Sequence, residues 1–319
     1  MDISDKIVDR KIDLSEEYSN PVFLLEKNGV GCFPVGDIVA IKAKAKNGKT
    51  HAASCIEVAA LIGDYMGFNA IERGLKVVYI DTEQNPLNTA KMARKVHALC
   101  GWNTSENNNN FSVFNLRSDS PIERAEIVEA IADSIKPDML IIDGIRDLLV
   151  DFNSIDESGK VIQLLMKLSK DYNICVIAIL HTNKSLTDSN MRGHLGTELL
   201  NKCAEVYEVK KDGTAFEVEQ TDTRNEPVDS WRFYLDSEGI PQQMDIVPKA
   251  SIADRNLSKM KDDLSHILDG QKSLSYTELG QGYSELTGLK TPSANRHIGL
   301  AIKKGLIIKG GDSRYRISA

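Results

Sequence analysis

The run AKAKNGKT, Ala43 to Thr50, ends on a glycine, a lysine and a hydroxyl residue in succession. Backbone N–H groups at the start of a helix, an ammonium and a threonine hydroxyl are together what a chain of phosphates and its divalent cation require. The pattern G-x-x-x-x-G-K-[ST] is met at Gly48, Lys49 and Thr50, whereas Ala43 stands where the first glycine belongs. That first position sets the turn off the preceding strand, where glycine is favoured for its freedom at positive φ. Alanine there implies a working loop with altered turn geometry. On this reading Ala45, Lys46, Asn47, Gly48, Lys49, Thr50 and His51 wrap the phosphates, and Thr50 doubles as a metal ligand.

A divalent cation bound at such a loop also needs a carboxylate at the end of a neighbouring buried strand. MLIID supplies it as Asp143, so Thr50 and Asp143 form the expected Mg2+ site. Hydrolysis needs in addition a base that orients water. YIDTEQ places Glu83 just beyond another strand, with Asp81 as the alternative. ILHTNK ends a further strand on His181, a polar group placed to sense the terminal phosphate at the carboxyl end of a sheet, where α/β proteins bind ligands.

These residues need a scaffold, and the pattern of apolar runs provides one. GDIVAIKA is a β-branched run that leads into the loop, and KTHAASCIEVAALIGDYMG has helical apolar spacing. LKVVYIDTE, FSVFNL, DMLIIDG and ICVIAILH read as buried strands that alternate with helical segments. The expected fold is therefore α/β, a mostly parallel sheet flanked by helices. After Leu200 come short strands, CAEVYEVKK, AFEVEQTDTR and SWRFYLD, expected to extend the sheet in antiparallel fashion. The organisation reads as an arm over 1–30, a core over 31–245, a linker over 246–257 and a small C-terminal domain over 258–319.

That last unit runs as three helical segments followed by two strands around Gly310-Gly311, the order of a winged helix. TPSANRHIGLAIKKG would be its recognition helix. Arg296 lies in its first turns, and Lys303, Lys304, Lys309, Arg314 and Arg316 make the unit locally basic, which suits duplex DNA held through Arg296, Lys303 and Arg314, although many winged helices bind proteins instead.

Composition sets outer bounds. A chain of 319 residues with a formal charge of −7 is not coated in basic surface, so any nucleic-acid contact has to come from local patches. Five widely spaced cysteines without a C-x-x-C pair read as reduced core thiols. No apolar run reaches the roughly 18 residues that span a bilayer, and the first residues lack the apolar core of a signal peptide. A cytoplasmic protein without a membrane partner is expected.

In their order, GDIVAIKAKAKNGKT, YIDTEQ, LIIDG, ILHTNK, MRGHLGTELLNK and TDTRNEP resemble the RecA-fold P-loop ATPases, nearest to hexameric plasmid-replication helicases of the RepA type and related mobile-element ATPases. The resemblance spans about residues 20–245. It implies ATP bound with Mg2+ between subunits of a homo-oligomeric ring, a hexamer, or a filament. Glu83 would be the catalytic glutamate, His181 the sensor, and Arg224 a finger that reaches a neighbour's terminal phosphate. Asp222 departs from the lysine that helicase relatives carry two residues before that arginine. The stretch with Arg192, His194 and Lys202 would be a loop holding single-stranded DNA. Function is then expected to be DNA-associated ATP hydrolysis of helicase, translocase or loader type in a plasmid or mobile element. An ATP-switched DNA-binding regulator and a degenerate phosphate-loop scaffold are the alternatives.

Overall fold

A computed structural model describes residues 3–15, 20–151, 153–183, 191, 193–244, 252–268, 273–310 and 312–317. The chain divides into two compact units, Met1–Ile246 and Val247–Ala319.

In the first unit a short helix α1 (Ile3–Asp9) precedes strands β1 (Phe23–Lys27), β2 (Val30–Pro34) and β3 (Ile38–Ala43) and helix α2 (Lys49–Ile62). Strands β4 (Asp64–Tyr65), β5 (Phe68–Ala70) and β6 (Val77–Asp81) follow, then α3 (Pro86–Leu99) and β7 (Phe111–Asn115). The chain continues through α4 (Pro121–Ile135), β8 (Met139–Asp143), α5 (Ile155–Tyr172), β9 (Cys175–His181) and α6 (Gly193–Lys202). It closes with β10 (Glu205–Asp212), β11 (Ala215–Thr223), β12 (Trp231–Leu235) and β13 (Pro241–Met244).

Nine of these strands form one sheet in the order β13-β12-β11-β10-β3-β9-β8-β6-β7. The six from β10 to β7 run parallel and the other three antiparallel, so the expected mostly parallel sheet flanked by helices is what the chain builds. The reason lies in the continuous apolar strands. Alternate residues of each strand serve opposite faces: Val39 and Ile41 pack with Ala52, Ile56 and Met92 of α2 and α3, while Ile38 and Ala40 pack with Val128, Leu165 and Leu195 of α4, α5 and α6. A sheet covered on both sides leaves no polar face, which is why those runs do not alternate.

Three expectations need correcting. Strand β10 pairs parallel to β3, not antiparallel, because α6 supplies the crossover that a parallel return requires. The segment around His194 and Lys202, expected to be a loop, is that helix: Leu195 and Leu199 are buried one turn apart, and Gly196 lies against the Met191 backbone where a Cβ could not fit. The supposed arm over 1–30 contains β1, which pairs with β2 and β5 in a four-stranded antiparallel sheet of order β2-β1-β5-β4. Asn28 and Gly29, at φ of 53° and 80°, form the two-residue turn between β1 and β2, and an Asn-Gly pair is the sequence signature of such a hairpin.

The second unit holds α7 (Ile252–Leu268), α8 (Tyr276–Thr287), α9 (Thr291–Lys303), β14 (Ile307–Lys309) and β15 (Tyr315–Ile317). Helix α7 begins inside the stretch 246–257 read as linker. The strands β14 and β15 pair antiparallel, and Leu274 bridges to Tyr315. Leu264, Leu279, Ala294, Ile298 and Ala301 form its fully buried core. Among the described residues, no helix is long and apolar enough to cross a membrane.

Candidate functional site

Strand β3 runs extended to its last residue, Ala43, which is buried in the core cluster. The turn that follows is made by Lys46 and Gly48, at φ of 62° and 83°. Ala43 therefore occupies backbone that any residue adopts, and the missing glycine is not missed. Gly48 is needed twice over: its φ suits glycine, and a Cβ there would lie 2.5 Å from the ring of Phe216 on β11. Gly48 caps α2 without a side-chain acceptor, so the first N–H groups of α2 remain available to a ligand.

Strand register gathers the rest. Ala43 pairs with His181 across β3 and β9, and Asp143 pairs with Asp81 across β8 and β6. Thr50 Oγ1 donates to Asp143 Oδ2 at 2.8 Å. Lys49 Nζ lies 2.8 Å from His181 Nδ1 and 3.0 Å from Nε2. His181 Nε2 is 3.6 Å from Glu83 Oε1. An ammonium can only donate, so the simplest arrangement has Nδ1 accepting from Lys49 while Nε2–H faces Glu83. Lys49, Thr50, Asp143, His181 and Glu83 thus meet at the crest of the parallel sheet.

Their electrostatics are coupled. Burial lowers the affinity of Lys49 for its proton, against the pull of Asp143 and Glu83. Burial raises the Asp143 carboxyl, and hydrogen bonds from Tyr79 and Thr50 together with Lys49 hold it back. His181 foremost, with Lys49, draws Glu83 below its ordinary value against burial, so Glu83 is a carboxylate near neutral pH. Asp81, the alternative base, is committed elsewhere. Its carboxylate accepts from the backbone N–H groups of Glu83 and Gln84 and from Thr89 Oγ1, and it is fully buried. It shapes the turn that presents Glu83. Gly144 makes room for the same turn: at φ of 101°, a Cβ there would come 2.7 Å from Glu83 Cγ.

Among the described residues no cluster of three His, Cys, Asp or Glu side chains could hold a metal by itself. One hydroxyl and one carboxylate do suit Mg2+, which characteristically completes its octahedron with substrate phosphates and water. Thr50 and Asp143 would hold it.

The cleft above these groups has a volume of about 610 Å³. Lys46, Asn47, Gly48, Lys49, Thr50 and His51 line it, whereas Ala45 does not. Away from the loop its wall is formed by Met92, Leu99, Phe216, Leu235 and Pro241, with Lys91, Lys95 and Lys211 among them. None of these is legible in the sequence as a site residue, because they come together only when β11 to β13 extend the sheet beside α3. Two more groups escape a sequence reading: Tyr79, whose hydroxyl donates to Asp143 Oδ2 at 2.6 Å, and Glu57 of α2, fully buried with no hydrogen-bond partner for either oxygen.

The remaining expected residues lie apart. Arg224 is exposed, its guanidinium donating to Asn201 O at 3.1 Å. It follows Thr223, which pairs with Glu205 and through it aligns with Val39. The loop leaves β3 four residues later, at Ala43, which is roughly 13 Å along a strand. Arg224 therefore does not line the cleft of its own chain. His194 and Lys202 are exposed at opposite ends of α6, and Arg192 lies outside the described residues. In the second unit Arg296 and Lys303 are exposed on one face of α9, while Arg314 donates to Ser273 O and to Glu278.

A family model described as AAA domain matches residues 22–186, just over half of the chain. No curated protein matches it significantly. Among solved structures, a RadB recombinase aligns with 67% of this chain and 94% of its own at 17% identity and a TM-score of 0.48. Another solved structure, of an ATPase domain, aligns with 66% of this chain and 85% of its own at 14% identity and a TM-score of 0.49.

Two outcomes follow from the geometry. Ala43→Gly, which restores the common loop pattern, should lower stability by about 0.5–1 kcal/mol in denaturant unfolding, since glycine in extended core backbone only adds unfolded-state freedom. A gain in stability would show that Ala43 strains the turn. Glu57 gives a pH effect. Burial foremost, then Asp143, push its carboxyl well above the ordinary value of 4.5, so the folded chain keeps a proton that the unfolded chain sheds. Its contribution to stability therefore falls as pH rises from the unfolded value towards the folded one. Glu57→Gln mimics the neutral acid and removes that loss. Melting curves of the two proteins should nearly coincide at about pH 4.5 and then diverge in favour of Gln, by at most about 1.4 kcal/mol per pH unit. A gap that does not widen with pH would mean that Glu57 is ionised in the fold.

Proposed function

We propose that this chain, which belongs to the AAA domain family, hydrolyses ATP in the cleft above β3, β8 and β9 and couples turnover to DNA. The observation that carries this reading is the convergence of Lys49 and Thr50 with Asp143, Glu83 and His181 on one cleft. Lys49 and the first N–H groups of α2 bind the phosphates. Thr50 and Asp143 would hold Mg2+, which would supply charge neutralisation to the phosphates. Glu83, kept as a carboxylate, orients the attacking water, and His181, bonded to Lys49 on one side and facing Glu83 on the other, registers whether the γ-phosphate is present. The apolar wall of Met92, Leu99, Phe216 and Leu235 receives the nucleoside.

Supply of an arginine in trans gives the protein a reason to oligomerise. Arg224 sits at the far end of the β3–β10 pair from its own loop, so its use as a finger requires a second subunit, as a ring or filament provides. DNA contact is assigned to two places. His194 and Lys202 are exposed on α6, which follows the sensor strand, and Arg192 precedes it. The second unit, with three helices and a hairpin among its described residues, is read as a winged helix, Arg296 and Lys303 of α9 facing duplex phosphates. Arg314 serves that unit through its bonds to Glu278 and Ser273. The role assigned is that of a helicase, translocase or loader of a plasmid or mobile element, and it rests on the order of the motifs from the phosphate loop to TDTRNEP.

Purified protein should turn over ATP faster when single-stranded DNA is added. Glu83→Gln should retain ATP binding while turnover falls by about 10² or more, the usual contribution of a positioned base. Lys49→Ala should lose binding itself. Unchanged turnover in Glu83→Gln would remove Glu83 from the mechanism. ATP binding without turnover, with or without DNA, would leave an ATP-switched DNA-binding regulator as the function.

A further inference from the structure

The Asp143 carboxylate meets its surroundings through one oxygen. Oδ2 accepts from Thr50 Oγ1 at 2.8 Å on the cleft side and from the Tyr79 hydroxyl at 2.6 Å from within the core. Asp143 lines the cleft; Tyr79 does not, and it is fully buried. Register explains how a tyrosine comes to lie there. Tyr79 pairs with Ile141, two residues before Asp143 on the neighbouring strand, so the two side chains share the α2 face of the sheet as a diagonal pair. A second carboxyl is close enough to act on Tyr79 electrostatically, that of Glu57, yet neither of its oxygens has a hydrogen-bond partner. The Tyr79 hydroxyl is therefore spent on Asp143 although another buried acceptor is near.

The geometry assigns Tyr79 as a positioning residue for the cation site: its hydroxyl fixes the rotamer of the Asp143 carboxylate so that the group faces Thr50 and the cleft. This assignment rests on the reading of Thr50 and Asp143 as the Mg2+ ligands. Thr50 can offer an oxygen lone pair to a cation while its O–H still donates to Asp143, and Tyr79 adds a second donor to the same Oδ2, fixed from the core side. Hydrogen bonds that orient a metal-ligating carboxylate from behind typically change metal affinity by about 10- to 100-fold. Tyr79 touches neither nucleotide nor metal and acts only through Asp143.

The test is the Mg2+ dependence of nucleotide binding, read with a fluorescent, non-hydrolysable ATP analogue on the full chain, without reference to turnover. In Tyr79→Phe, the Mg2+ concentration for half-maximal enhancement of binding should rise by about tenfold or more, while affinity for the analogue in EDTA stays at the wild-type value. In the Asp143→Ala background the same substitution should add no further shift, because the Tyr79 hydroxyl then has no acceptor at that position to orient. A Tyr79→Phe protein that melts lower but keeps the wild-type Mg2+ midpoint would overturn the assignment and leave Tyr79 a packing residue. An equal added shift in the Asp143→Ala background would overturn it as well. Wild-type protein that binds the analogue with no response to Mg2+ would instead overturn the cation site, and this assignment with it.

Discussion

The fold is organised around one buried carboxylate. Asp143 lies at the end of a strand covered on both sides by helices, where an anion is costly unless donors surround it. Every neighbouring element contributes to that requirement. Helix α2 brings Thr50 and Lys49, β6 brings Tyr79, and β9 brings His181 to bond Lys49 in turn. The parallel sheet makes this possible, because its strands all deliver their carboxyl ends to the same crest. Glu83 then stands opposite His181 on a turn that Asp81 and Gly144 shape from beneath. Two nearby acids thus differ in how far burial moves them. Burial raises both, but donors and Lys49 hold Asp143 back, whereas Glu57 of α2 has no hydrogen-bond partner and is pushed well above its ordinary value.

Most of the crest is legible in the sequence. Lys49 and Thr50 follow a strand and open a helix, Asp143 and His181 end long apolar runs, and those runs fix the parallel sheet whatever the rest of the chain does. Residues whose roles depend on distant elements are not legible. Phe216 has meaning only because β11 lies across the loop at Gly48, and Tyr79 reads as one more core aromatic until its register with β8 is known. Helix α6 is hidden because Gly193 and Gly196 look like loop residues, while the close approach to Met191 that demands Gly196 is a tertiary fact. The β1–β2 hairpin has its signal in Asn28-Gly29, but the runs on either side of that pair are short and mixed in character and do not read as strands.

The departure at Ala43 shows how a motif and its physics can separate. Glycine is required where φ is positive or where a Cβ would collide, and here those demands fall on Gly48 alone, with Lys46 taking the other left-handed position. A pattern match counts Ala43 as a defect. The backbone does not, because strand β3 simply extends to the point where the turn begins.

A structure of the protein with Mg2+ and a non-hydrolysable ATP analogue tests the central claim most directly. The account predicts the metal at about 2.1 Å from Thr50 Oγ1. Asp143 should be turned to the metal and its waters with Tyr79 still bonded behind it, and the terminal phosphate should lie between Lys49 and Glu83. A nucleotide bound with its phosphates away from Lys49, or with Thr50 still donating to Asp143 and no cation between them and the phosphates, would contradict it.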